Sequence, residues 1–115
     1  MRGRDPWPAF AALSGAIAIA AGAFGAHGAE GRAAEWLATG ALYQLVHAVA
    51  VVGFGERWRG PARLMLVGSA IFAVTLYAMA FGAPRWLGAV TPVGGGMMIG
   101  GWVWLAVNTL KPRSG

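Results

Sequence analysis

GALYQLVHAVAVVG, residues 40–53, is an apolar run interrupted by Tyr43, Gln44 and His47. Extended to its flanking aromatics, Trp36 and Phe54, it reaches the roughly 20 residues that cross about 30 Å of hydrocarbon as a helix. Three further runs of similar length and apolarity begin and end near Pro8–Ala26, Pro61–Phe81 and Pro92–Leu110. Four such segments cannot close a β-barrel, so the backbone hydrogen bonds must be met within helices. The expectation is an all-α polytopic membrane protein. Its four transmembrane helices, about 8–26, 36–54, 61–81 and 92–110, form one compact bundle in a single domain over residues 1–115.

Composition agrees. Of 115 residues 57% are hydrophobic and 11% charged, where soluble domains carry about 25% charged residues. A chain this small has too much surface for so few charges to cover in water. The 19 glycines lie inside the apolar runs, and membrane helices accept glycine more readily than soluble ones. The net charge of +5 comes from basic residues scattered at the ends of those runs. No basic helix or aromatic-interleaved basic face forms, so nucleic-acid binding is not expected. The absence of cysteine excludes disulfides, thiolate metal sites and cysteine nucleophiles.

Local signals mark the helix ends. Gly60-Pro61 places a proline at the start of the third helix, and Gly82 with Pro84 reads as a stop after Phe81. Thr91-Pro92 reads as an N-cap followed by proline at the first position of the fourth helix. The rival reading makes Pro92 a kink in a helix starting near Trp86. Four spans put both termini and the loop between the second and third helices on one side. That side carries Arg2, Arg4, Arg57, Arg59, Arg63, Lys111 and Arg113, and the other only Arg32 and Arg85. The bias predicts that both termini are cytoplasmic. Trp7, Trp58 and Trp104 then suit the inner interface, Trp36 and Trp86 the outer one, and Trp102 lies too deep for either. Residues 1–26 also resemble a cleavable signal peptide, but cleavage would leave the positive loop on the wrong side.

Helices in lipid associate through close backbone approach. Gly15, Ala18, Gly22 and Gly25 or Ala26 make a small-residue stripe on the first helix, Gly96 and Gly100 a GxxxG pair on the fourth, and Gly68 a further small site on the third. They are read as contacts inside the bundle, with a homodimer face as the alternative.

Three motifs, Gly22-Ala-Phe-Gly-Ala-His-Gly28, Tyr43-Gln-Leu-Val-His-Ala48 and Leu87-Gly-Ala-Val-Thr-Pro-Val-Gly-Gly95 with Gly101-Trp102, together resemble the family called domain of unknown function 423. The resemblance covers nearly the whole chain. It implies a small four-helix, multi-pass protein of the inner (cytoplasmic) membrane and brings no biochemical activity with it. The positions it singles out are Gly25, His27, Tyr43, Gln44, His47, Thr91 and Pro92.

Tyr43, Gln44 and His47 are spaced three and four apart and so share a helix face. A ring N–H exposed to lipid near the midplane is costly, so this face should point inward. Thr75 is the expected partner of Tyr43 and Ser69 of His47, with backbone carbonyls of the fourth helix as a further option. The cluster is read as interhelical glue; the functional alternative is a pathway or ligand site. His27 is read as a helix cap or interfacial anchor. His27 and His47 differ in depth by about 15 Å, so no metal site is expected. No cofactor is expected either. All four acids, Asp5, Glu30, Glu35 and Glu56, fall outside the bilayer, and no nucleophile–base pair or phosphate loop is visible.

The expectation is therefore a non-enzymatic accessory or structural subunit acting by contact, its partners the lipid bilayer and a larger membrane complex or further copies of itself. The alternative is a small homo-oligomeric transporter or channel lined by Tyr43, Gln44 and His47. A third reading makes Tyr43 and His47 part of a lipid or quinone site.

Overall fold

The computed structural model describes residues 5–111, which contain four long α-helices and no strand. They are α1 (Trp7–His27), α2 (Gly31–Phe54), α3 (Arg59–Ala80) and α4 (Thr91–Leu110), with a single 3-10 turn, Arg85–Ala89, ahead of α4. All four are long and apolar enough to cross a membrane. Arg2, Arg4 and Arg113 lie outside the described residues.

The helix ends depart from the sequence reading for definable reasons. α2 starts at Gly31, five residues before Trp36. The segment RAAE after it is built of good helix formers, and a helix continues past the hydrocarbon boundary wherever its residues favour it. Gly31 itself has φ +61°, a left-handed conformation that glycine adopts without steric cost. α3 starts at Arg59, so Pro61 lies in its first turn, where a missing N–H leaves no hydrogen bond unmade. α3 ends at Ala80, and the chain reverses at Gly82 with φ +102°. The 3-10 turn runs into α4 with only Val90 between them. Pro92 is the second residue of α4 and neither kinks it nor follows a cap. Thr91 is a correction: it is the first helical residue, and its side chain caps nothing in α4.

The helices pack antiparallel in chain order, α1 on α2, α2 on α3 and α3 on α4, and only the α3 backbone approaches those of all three others. Among the described residues neither the α1 and α4 backbones nor those of α2 and α4 approach one another. The α3 backbone is thus the shared neighbour of the other three. At the end where α1 and α3 begin and α2 finishes, Ala11, Val51, Ala62 and Leu66 form a buried core, flanked by Trp7 and Phe54. The same end is stitched by Asp5, which accepts a hydrogen bond from the Trp7 N–H (3.1 Å) and lies 3.7 Å from the Arg63 guanidinium. Arg63 in turn sits 5.1 Å over the Trp7 ring.

Small residues set the helix spacing. Cβ atoms built on Gly15, Gly22 and Gly25 would lie 3.6 Å from Ala48, 3.4 Å from Ala41 and 2.9 Å from Leu37, one continuous antiparallel register between α1 and α2. Ala18 is buried in the same stripe. On α4 the outcome differs from the expected GxxxG pair. Gly96 is exposed, and a Cβ there would meet nothing within 4 Å. Gly100 makes only an ordinary contact with Leu64 at 3.6 Å. The close approach falls instead at Gly94, where a Cβ would lie 2.5 Å from the Gly68 carbonyl oxygen and 2.6 Å from the Phe72 nitrogen. A Cβ on Gly101 would collide with Met65.

Candidate functional site

The interrupted run on α2 occupies the middle of the fold. Gln44 and His47 are each 4% exposed, so both face inward. Tyr43 is 44% exposed and does not join them; it stands at the edge of a groove, its ring edge-on to Phe72 at 5.0 Å. The three side chains therefore serve different surroundings.

Gln44 is turned toward α1 and α3. Its Nε2 donates to Ser14 Oγ (2.9 Å), and its Oε1 accepts from the Tyr77 hydroxyl (2.5 Å). One amide thus joins three helices. A Cβ on Gly40 would lie 2.7 Å from the Tyr77 ring, so the missing side chain at Gly40 is what admits that ring.

His47 is turned toward α4. Its Nδ1 lies 2.7 Å from the Tyr43 carbonyl oxygen, and Trp102 Nε1 lies 2.9 Å from its Nε2. A carbonyl only accepts and an indole N–H only donates, so Nδ1 carries the proton and Nε2 accepts. Both ring nitrogens of a neutral imidazole are satisfied. Trp102 is the deep tryptophan of the sequence reading, and it packs edge-on against both His47 (5.8 Å) and Phe54 (6.1 Å).

The expected partners are corrected accordingly. Ser69 is fully buried but returns its hydroxyl to the Leu66 carbonyl of its own helix (2.9 Å), as a serine one turn along a helix can do without a neighbour. Thr75 bonds the Ile71 and Phe72 carbonyls and meets the Thr91 hydroxyl at 2.6 Å. Thr91 also reaches the Leu87 carbonyl (3.2 Å). The Thr75–Thr91 pair joins α3 to α4 three positions from the tight crossing at Gly94. No carbonyl of α4 is needed for His47.

Three polar ties result: Ser14–Gln44–Tyr77, His47–Trp102 and Thr75–Thr91. Among the described residues no buried side-chain nitrogen or oxygen lacks a hydrogen-bond partner. Ser14 and Tyr77 were missed in the sequence because neither stands beside another polar group. The available signal was the presence of hydrogen-bonding side chains within long apolar spans, which by itself demands partners. His27, the last residue of α1, is exposed. The α1–α2 register sets it opposite Trp36, eleven positions from His47 along the helix axis, or about 16 Å. No group of three histidine or acidic side chains among the described residues is placed to hold a metal ion.

Between α2, α3 and α4 lies a groove of about 320 Å³, open at its side. Tyr43 and His47 line it from α2, Phe72 from α3, and Met98, Ile99 and Trp102 from α4. A second, more apolar groove of about 300 Å³ lies between α1 and α3, beside Phe10, Ser14 and Leu66.

The sequence matches the family model described as protein of unknown function (DUF423) over residues 21–95, from the end of α1 into α4. The chain belongs to the DUF423 family. Ser14 and Trp102 lie outside the matched segment, while Gln44, His47, Thr75, Tyr77 and Thr91 lie within it. The chain is similar to a UPF0382 membrane protein of Haemophilus influenzae, 39% identical over 114 residues that span 90% of this chain and 92% of that one. It is 34% identical to a UPF0382 membrane protein of Staphylococcus epidermidis, over 87% of this chain and 91% of the relative. The UPF0382 inner membrane protein YgdD of Escherichia coli is 33% identical, over 89% and 87%. No solved structure matches the chain. Four membrane-crossing helices and relatives named membrane proteins agree: this is an integral membrane protein.

Proposed function

We propose that this DUF423 protein works by contact, as a non-enzymatic accessory or structural subunit of a larger assembly in the cytoplasmic membrane, with both termini on the cytoplasmic side. The observation that supports this reading is the use of the buried polar side chains. Gln44, His47, Ser69 and Thr75 are all buried and all hydrogen-bonded within the chain. Groups held in this way brace the helices and leave the outer faces apolar, with Leu13 and Ile17 exposed on α1 and Val103 and Val107 on α4. Helices α1 and α4, whose backbones do not approach one another, offer those faces to a membrane partner. Arg57, Arg59, Arg63 and Lys111 at one end, against Arg32 and Arg85 at the other, support the orientation.

The test is native mass spectrometry of the protein released gently from its own membrane. Co-release with a larger protein at fixed stoichiometry supports the accessory role; a chain found alone or only with copies of itself overturns it. The alternative, a small homo-oligomeric transporter, is favoured by one feature, the side groove at Tyr43 and His47. Gln44 would not line such a path, being bonded toward α1 and α3. Flux into proteoliposomes that His47→Ala abolishes in a folded protein would establish it, and a flat response to a broad panel of ions and metabolites would reject it.

A further inference from the structure

The Tyr43 hydroxyl is the exception to the economy of polar groups described above. Gln44, His47, Thr75, Tyr77, Thr91 and Trp102 all have side-chain partners, whereas Tyr43 makes only an aromatic contact with Phe72. Tyr43 also stands seven residues inside Trp36 on α2, about 10 Å below the outer interface. At that depth its ring lies within the hydrocarbon, whose half-thickness is about 15 Å. A phenol donor there calls for an acceptor that itself resides in hydrocarbon.

The groove that Tyr43 lines defines the shape of such an acceptor. Its volume, about 320 Å³, falls at the small end of the roughly 300–1,000 Å³ of ligand pockets. Its walls are the flat rings of Phe72 and Trp102 with the Met98 thioether, a lining suited to a planar ring. His47 contributes its ring but no free nitrogen, because the Tyr43 carbonyl and the Trp102 indole engage both. Tyr43 is left as the donor. Gly95, also on the lining, leaves the slot without a side chain on that side of α4. The open flank beside Ile99, which is 67% exposed, would let an apolar tail continue into the bilayer.

We infer that the groove between α2, α3 and α4 binds the ring of a membrane quinone, one carbonyl oxygen of which accepts a hydrogen bond from the Tyr43 hydroxyl. Binding of this kind does not depend on the protein having a protein partner. The probe is a decyl-substituted dimethoxy-methyl-benzoquinone titrated into the purified full chain in nanodiscs, with binding read from quenching of tryptophan fluorescence. Saturable binding near one equivalent is expected. Tyr43→Phe should weaken it about tenfold, the loss of one hydrogen bond in an apolar site, at an unchanged melting temperature, since the hydroxyl has no partner in the fold. Gly95→Leu should abolish it by filling the slot. A Cβ at Gly95 meets only Phe72, at 3.9 Å, so Gly95→Ala provides a milder block should the leucine disturb folding. Unsaturable quenching, equal affinity in Tyr43→Phe, or displacement of the quinone by an equal concentration of decylbenzene would each overturn the proposal.

Discussion

Gly94→Ala adds one methyl group at the tightest point between α3 and α4. The new Cβ would lie 2.5 Å from the Gly68 carbonyl oxygen and 2.6 Å from the Phe72 nitrogen. Both are backbone atoms, so no rotamer change can relieve the clash. Reaching an ordinary contact of 3.4 Å requires α4 to move away from α3 by about 0.9 Å. A shift of that size also carries the 2.6 Å Thr75–Thr91 hydrogen bond to the edge of bonding distance. Overpacking of a well-filled site costs about 1–3 kcal/mol, and loss of the hydroxyl pair adds to it. Gly96→Ala, two residues along the same helix, is the internal control. Its Cβ meets nothing within 4 Å, and replacing glycine in a helix is worth up to about 1 kcal/mol of stability. The assay is reversible unfolding of both variants in mixed micelles of mild detergent and dodecyl sulfate. Destabilisation of Gly94→Ala alone is the expected result. An equal loss in Gly96→Ala would place Gly96 in a packed contact, such as a homodimer face, and refute the assignment of the close approach to Gly94.

The polar ties make further predictions in the same assay. A double-mutant cycle of His47→Leu and Trp102→Phe should show a coupling of roughly 0.6–2 kcal/mol; additivity within error would mean that the 2.9 Å bond contributes nothing. Gln44→Leu should lose about 1–3 kcal/mol by stranding the Ser14 and Tyr77 hydroxyls, and much of that should return when Ser14→Ala and Tyr77→Phe are added. If the triple variant is less stable than Gln44→Leu, the three side chains do not act as one unit. A fluorescent protein fused after the C-terminus should fold and emit while an alkaline phosphatase fusion stays inactive; the reverse pattern would turn the protein over in the membrane.

Several features of the site were legible in the sequence only up to a point. That Gln44 and His47 must face inward followed from the cost of leaving their polar atoms in lipid, and both are buried. The depth of Trp102 marked it as different from the belt tryptophans, and it is the partner of His47. The identities of most other partners were not readable. Ser69 lies near the right depth for His47, yet its hydroxyl is satisfied within its own helix. Tyr43 shares a helical face with His47 by spacing, yet a modest rotation of α2 places it at the groove edge.

The sequence by itself determined that this is a four-span membrane protein and roughly where each span begins and ends, because span length and apolarity are local properties summed along the chain. The three motifs also placed it in its family. The tertiary structure alone decided which small residues touch and which polar groups pair. In a water-soluble helix the polar face marks the outside, but in these spans the lipid-facing and protein-facing sides are both apolar, and periodicity does not separate them. Gly94 and Gly96 are therefore equivalent in the sequence, and only the rotation of α4 against α3 sets one against a backbone carbonyl and the other toward the bilayer.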